Sequence, residues 1–311
     1  MKTNVIVTAS DRRYGDFLIE HWLRSLADNT DLSDIDVAVL DYGLSVAQRF
    51  YLQSNGVLVH PGSRDGHVTV IRYRELRTFL AAHPDYAQAA LCDSGDIIFQ
   101  GDLSPVFRKD VDTFRAVCED YKPFFSIFIS SDFFDAEDRE RLSECFIRNP
   151  MINGGLVIGP RDKMIALADE CLAVIKDKTR FGPDQIVVNG ALYRDGFVAL
   201  DNLYNYVVAT AKEGVKIEGG SILTGEYREP VVVHNAGNIG TLRPLEDFGY
   251  GPSRNRLKED VYHALRALYV SSEGLFKTQE LFLDSRRLFR SQARKLLRDL
   301  GLPQHRRRAR R

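Results

Sequence analysis

Cysteine is scarce in this chain and badly placed for bonding. The four cysteines, Cys92, Cys118, Cys145 and Cys171, form no C-x-x-C pair, and three of them sit inside apolar runs, the pattern of buried free thiols in a reducing compartment. That spacing argues against a disulfide framework. No apolar run has the length that a membrane-spanning helix needs. The opening segment, Met1 to Ser10, is strand-like, meets Asp11 after about ten residues and carries no cleavage-type site, which does not fit a secretory leader. A cytoplasmic protein is expected, peripheral at the inner membrane face if its tail binds there. Net charge is also nearly absent, at −1, yet from Arg286 to Arg311 eleven Lys and Arg face a single acid, Asp299. The rest of the chain is correspondingly acidic, and a basic end on an acidic body points to an anionic partner for the tail.

What is present is enough for a large core: 311 residues, 44% of them hydrophobic, suit one large α/β domain with an appendage, or two modest domains. Asn4 to Thr8 reads as a strand, and Phe17, Leu18, His21, Trp22, Ser25 and Leu26 follow at helical spacing. Asp36 to Leu40, Ser45 to Gln53 and Gly56 to His60 repeat the alternation as strand, helix, strand. Such alternation predicts an α/β fold with a mainly parallel central sheet, helices on both faces and ligands at the carboxyl ends of the strands. Asp11, Asp41, Asp93 and Asp96 stand at such ends. Each alone also fits a helix cap or a turn.

The stretch from Leu91 to Phe107 draws the rest together. An apolar approach, Ala89 to Cys92, ends in Asp93 and Asp96, and a second apolar run, Ile97 to Phe99, follows at once. Carboxylates at the end of a buried strand are costly to desolvate unless a cation sits between them, and a hard divalent ion carrying phosphate oxygens is a natural partner. Further on, Tyr121 to Phe134 is rich in aromatics and reads as a loop or lid. Met151 to Gly159 reads as a strand whose Asn153-Gly154-Gly155 centre admits a close backbone or ligand, or marks an edge-strand bulge. Pro183 and Asp184 suit the first turn of a helix running to Asn189.

The ordered set Thr8-Ala9-Ser10-Asp11, Asp93-Ser94-Gly95-Asp96 with Gly101-Asp102-Leu103, Asn153-Gly154-Gly155, Asp184-Gln185 with Asn189, and His234-Asn235-Ala236-Gly237 resembles glycosyltransferase family 8 over roughly residues 3 to 245. These are retaining nucleotide-sugar transferases of the GT-A fold, a Rossmann-like nucleotide-sugar-binding architecture. The resemblance implies a catalytic domain over 1–250 and a helical, basic region over 251–311. It implies that Thr8, Ala9, Asp11 and Tyr14 hold the nucleotide base and ribose, and that Asn153 and Gly155 flank the sugar. Asp93, Asp96 and His234 would bind Mn2+ or Mg2+ on the donor diphosphate, with Gly237 beside it. Asp184 and Gln185 would line the reacting face. The donor implied is a nucleoside-diphosphate sugar, a UDP-sugar foremost. The acceptor is a hydroxyl on a glycan or glycolipid, with no role for nucleic acid.

The chain departs from the family pattern at three places. The family spacing is Asp-x-Asp, whereas here Asp93 stands one residue early. Gly240 occupies the place of a diphosphate-binding lysine, and Arg243 is the substitute at hand, since a guanidinium can grip phosphate oxygens. Ile186 replaces a third acid after Asp184-Gln185. Two other functions therefore stay open: a catalytically weak nucleotide-sugar-binding or assembly protein, and another metal-dependent phosphoryl- or nucleotidyl-transfer enzyme. Beyond Leu257, Leu281, Phe282, Leu288, Phe289, Ala293, Leu296, Leu297 and Leu300 recur at helical spacing among basic residues, ahead of the block His305 to Arg311. That pattern fits either a helix lying on anionic lipid or one packed on the catalytic domain.

Overall fold

The computed structural model describes residues 2–237 and 240–299. The first strand, β1 (Asn4–Ser10), is buried along almost its whole length, with Val5 and Val7 in one apolar core and Ile6 in another. This split follows from the two-residue period of a strand, which sends alternate side chains to opposite faces. A strand buried on both faces reads as a continuous apolar run, which is how Asn4 to Thr8 looks in the sequence.

From β1 the chain enters a helical segment, α1 (Gly15–Phe17), which passes through a π-helical stretch, Leu18–Leu23, into α2 (Arg24–Asn29). Then follow β2 (Ile35–Asp41), α3 (Val46–Ser54), β3 (Leu58–Pro61), α4 (Val68–Ala82), β4 (Gln88–Cys92) and β5 (Ile97–Phe99). Ser45 and Gln48 close a reciprocal capping box at the start of α3. After β6 (Phe114–Cys118) come α5 (Ala136–Arg148), β7 (Ile152–Pro160), α6 (Arg161–Val174), α7 (Pro183–Asp195), β8 (Phe197–Ala199) and β9 (Tyr206–Val207). The hairpin of β10 (Val215–Glu218) and β11 (Ser221–Thr224), the strand β12 (Val232–His234) and a long helix, α8 (Glu259–Asp299), complete the elements that matter here.

Seven strands form the central sheet in the order β3-β2-β1-β4-β7-β6-β8. The pairs β3-β2, β2-β1, β1-β4 and β6-β8 are parallel, as expected, but β7 runs against both neighbours, β4 and β6. It is also an interior strand, so the edge-strand reading of Asn153-Gly154-Gly155 does not hold; the register irregularity lies on its partner, between Ala116 and Cys118. The reversal has a functional result. The beginning of β7, with Asn153, Gly154 and Gly155, lies at the same sheet edge as the carboxyl ends of β1 and β4, with Cys92 opposite Leu156.

One core packs α4, α5, α6 and α7 on one face of the sheet through residues such as Tyr73, Leu76, Phe79, Leu142, Leu167 and Val188. The other packs Leu18, Trp22, Leu26 and Leu52 against Val37, Val39 and Ala90. A smaller sheet, β5-β12-β9, brings His234 to that same edge, opposite Ile97 in the antiparallel ladder. Helix α8 buries Phe276 in the first core and Tyr262 in a third, beside Tyr206 and Ile222, while Leu281 and Phe282 stay exposed. Among the described residues no helix is long and apolar enough to cross a membrane. The side chains from Arg286 onward and the block His305–Arg311 lie outside the described residues.

Candidate active site

The carboxyl edge of the sheet opens into a cavity of about 720 Å³. Of the residues singled out in the sequence, Ala9, Asp11, Tyr14, Asp93, Asp96, Asn153, Gly155, Asp184, Gln185, His234, Gly237 and Arg243 all line it. Thr8 does not: it is fully enclosed in β1, and its hydroxyl finds no partner among the described residues. Asp41 is a turn former, accepting from the backbone of Gly43 and Leu44 and pairing with Arg49. Asp11 likewise accepts from the N–H groups of Arg13 and Tyr14, but its other oxygen meets Arg64 at 2.8 Å, inside the cavity.

The loop between β4 and β5 accommodates the extra residue of its Asp-x-x-Asp spacing because its backbone is pinned on every side. Asp93 N–H donates to Gly155 O at 2.8 Å, and Trp22 Nε1–H donates to Asp93 O at 2.9 Å. Ser94 Oγ donates to Ala9 O at 2.7 Å. A side chain at Gly95 would meet the Tyr14 ring 2.8 Å away, so only glycine fits there without displacing that ring. Held in this way, both carboxylates face one imidazole. His234 Nε2 lies 3.5 Å from Asp96 Oδ1 and 3.9 Å from Asp93 Oδ2, and one ligand atom from each of the three residues falls within 4.8 Å of the others.

Two carboxylates facing a ring nitrogen repel its lone pair unless a cation, or a proton on that nitrogen, stands between them. Burial pulls the His234 ring toward its neutral form, but Asp96 and Asp93 outweigh burial and raise its pKa. Burial pushes the Asp96 carboxyl up, and His234 and then Arg243 hold it below the usual carboxylate range nonetheless. Oxygen donors with one imidazole suit a hard or borderline divalent ion such as Mg2+ or Mn2+. The donor set therefore fits the cation that the sequence implies.

Arg72 is a residue that sequence reasoning missed. It sits on α4, is buried, donates to Asp93 and lies 3.6 Å from Asp184 Oδ2. Burial alone would favour the neutral form of its guanidinium, and the two acids keep it charged. Asp184, at the first turn of α7, is pushed up to about 6 by burial, which outweighs the attraction of Arg72 because that guanidinium leans toward Asp93. Gln185 is tied to β7: its Oε1 accepts from Gly154 N–H at 3.0 Å, and its amide donates to Ile152 O. Arg243 reaches Asp96 Oδ2 at 2.8 Å while bonding the carbonyls of Gly95 and Gly237. The loop after β6 supplies Phe124, Phe125, Ile127 and Phe128 as one apolar wall, and α8 supplies Leu265, Leu268 and Tyr269 as another.

No family model matches the chain, and no curated protein matches it by sequence. Solved structures do. The galactosyltransferase LgtC, in complex with donor and acceptor sugar analogues, matches with a TM-score of 0.51 at 16% identity, over 85% of this chain and 96% of that one. The bifunctional glycosyltransferase WbbM, in its apo form, matches with a TM-score of 0.54 at 14% identity, over 89% of this chain and 51% of that one. At these identities the likeness shows the fold: an α/β, Rossmann-like architecture of the GT-A type, the α/β sheet being what the alternation of strands and helices predicts and the GT-A type what the family resemblance implies.

Proposed function

We propose that this chain is a divalent-cation-dependent glycosyltransferase of the family 8 kind, moving a hexose from a nucleoside-diphosphate sugar to an acceptor hydroxyl with retention. The observation that carries the reading is the convergence of Asp93, Asp96 and His234 within 4.8 Å at the ligand-binding edge of a GT-A sheet, inside a cavity that also holds Asp11, Asp184 and Gln185. Asp93, Asp96 and His234 would hold Mn2+ or Mg2+, which when bound neutralises the negative charge of a departing diphosphate. Ala9, Asp11 and Tyr14, from the loop after β1, would meet the base and ribose of a uridine nucleotide. Asn153 and Gly155 would flank the sugar, with Gly237 beside the phosphates.

Arg72 orients Asp93 and keeps Asp184 in place from behind. Retention is compatible with attack by the acceptor hydroxyl from the leaving-group side and equally with a covalent intermediate on Asp184, whose carboxyl is buried 3.6 Å from that guanidinium. The acceptor, a glycan or glycolipid, would enter along the apolar walls of the loop after β6 and of α8. The exposed Leu281 and Phe282 on α8 support contact with an anionic membrane surface, together with the basic residues that follow in the sequence.

Thermal-shift titration with nucleoside diphosphates and nucleotide sugars, with and without Mn2+, tests the donor site, because a ligand that binds only the folded state raises the midpoint. A cation-dependent rise with a uridine nucleotide, abolished in Asp96→Asn, is the expected outcome. No shift with any nucleotide in a folded sample sinks the reading. A second reading, a nucleotide-sugar-binding protein with weak turnover, draws on the ion pair between Arg243 and Asp96; it predicts the same shift with no release of nucleoside diphosphate when acceptors are added.

A further inference from the structure

A chain of buried side chains runs from Glu119 to His234, and one backbone N–H fixes its direction. The N–H of Gly155 can only donate, and it lies 2.9 Å from Asn153 Oδ1. The Asn153 amide must therefore turn its Nδ2 toward Glu119 Oε1, 2.8 Å away. Asn153 Oδ1 accepts a second bond from Asn205 Nδ2 at 2.9 Å. With its nitrogen so engaged, Asn205 presents Oδ1 to His234 Nδ1 at 3.2 Å. An oxygen in that position requires a hydrogen on Nδ1. The free ligand nitrogen is then Nε2, the atom that faces Asp96 and Asp93.

All four residues are buried, so solvent is poorly placed to replace a lost link. They come from separate parts of the fold. Glu119 follows β6, Asn153 lies in β7, Asn205 ends the 3₁₀ turn Asn202–Asn205 before β9, and His234 closes β12. Glu119 is itself anchored through its backbone N–H, which donates to Met151 O at 2.7 Å. We infer that Asn153 and Asn205 are positioning residues that hold His234 in its Nδ1–H form, with Nε2 aimed at the cation between Asp93 and Asp96. The relay thereby ties the central sheet to the small sheet that carries the histidine. The role given to Nε2 rests on the proposed cation; the hydrogen-bond relay stands without it.

Because Glu119 also lines the cavity, the test reads the histidine directly instead of turnover. Protein labelled with ¹⁵N-histidine is observed by NMR with and without Mg2+, and the His234 signal is assigned by its loss in His234→Gln. The wild type should show a slowly exchanging Nδ1 proton in both states. Asn205→Ala should lose it, and so should Asn153→Leu, which takes away the oxygen that engages Asn205 Nδ2, whereas Glu119→Gln, whose amide oxygen still accepts from Asn153, should keep it. Calorimetric affinity for Mg2+ and Mn2+ should fall about 10- to 100-fold in the first two variants and stay near wild type in the third.

A retained Nδ1 proton in folded Asn205→Ala and Asn153→Leu overturns the relay, and so does unchanged cation affinity in both. If the wild type binds neither ion while the Nδ1 proton responds to the variants, the cation reading fails and the relay stands. Its two links are tested by separate substitutions, so a folding failure in one leaves the other decisive.

Discussion

Arg243 Nη2 lies 2.8 Å from Asp96 Oδ2, so a guanidinium already holds a carboxylate that the proposed cation needs. The other nitrogens of Arg243 rest on the carbonyls of Gly95 and Gly237, at 3.2 and 3.0 Å. Cation and guanidinium therefore compete for Asp96, and a diphosphate would draw Arg243 toward itself. A charge-assisted hydrogen bond of this kind contributes roughly 1.5–3 kcal/mol. Arg243→Gln should bind Mn2+ about tenfold more tightly in the absence of nucleotide, and nucleoside diphosphate more weakly in its presence. Calorimetric titration in both orders checks this, and weaker cation binding by the variant would show that Arg243 supports the site instead of competing for it.

Arg72 poses a different problem, since it is buried beside the buried Asp184, with the half-buried Asp93 as its nearer partner. Removing one member of a buried charge cluster leaves the others uncompensated, at a cost of about 3–5 kcal/mol. Arg72→Met should lose about that much stability by urea unfolding. Adding Asp184→Asn, which removes one stranded carboxylate, should return part of it. Additive losses in the double variant would mean that Arg72 and Asp184 do not interact.

How much of this was legible in the sequence depended on the reach of each signal. Strand ends are local: an apolar run that stops at an acid marks them, and Asp11, Asp93 and Asp96 were found in that way, whereas His234 came from the family resemblance. The direction of β7 carries no local mark, because an interior strand is apolar whichever way it runs. Arg72 looks like an ordinary charge on an amphipathic helix, and only packing reveals that α4 turns it inward. Glu119 and Asn205 were passed over for the same reason, since the bonds that give them a role cross 34 and 52 positions of sequence to Asn153. The one-residue offset of Asp93 was visible, but its resolution depends on Gly155 and Trp22, which are far away along the chain.

The raised pKa of Asp184, about 6, makes stability depend on pH with a definite sign. Between about pH 4, where a free aspartate releases its proton, and about pH 6, where the folded one does, the folded state binds more protons than the unfolded state. Its contribution to stability is thus lost as pH rises through that window, by about 2–3 kcal/mol in all. Asp184→Asn should remove this component, so the difference in unfolding free energy between variant and wild type should grow in the variant's favour from pH 4 to pH 6. A difference that stays flat across those values would show that Asp184 ionises at its ordinary pKa.

Gly155 links the sheet to the proposed cation site, and its own lack of a side chain is what allows the approach. A Cβ at this position would overlap His234 Cε1 and come within 2.8 Å of Asn153 Oδ1. Neither neighbour can retreat easily: Asn153 Oδ1 accepts two hydrogen bonds, and the ring of His234 is held through Nδ1. Gly155→Ala should therefore act as overpacking, costing about 1–3 kcal/mol of stability, and should displace the imidazole from the two aspartates. Cation affinity is expected to fall while cation-free nucleotide binding, which depends on the loop after β1, changes little. Gly154→Ala is the control, since a Cβ there meets the side-chain oxygen of Gln185 at 2.7 Å and not the histidine. Equal loss of cation affinity in both variants would mean that the effect travels through β7 as a whole and not through the contact between Gly155 and His234.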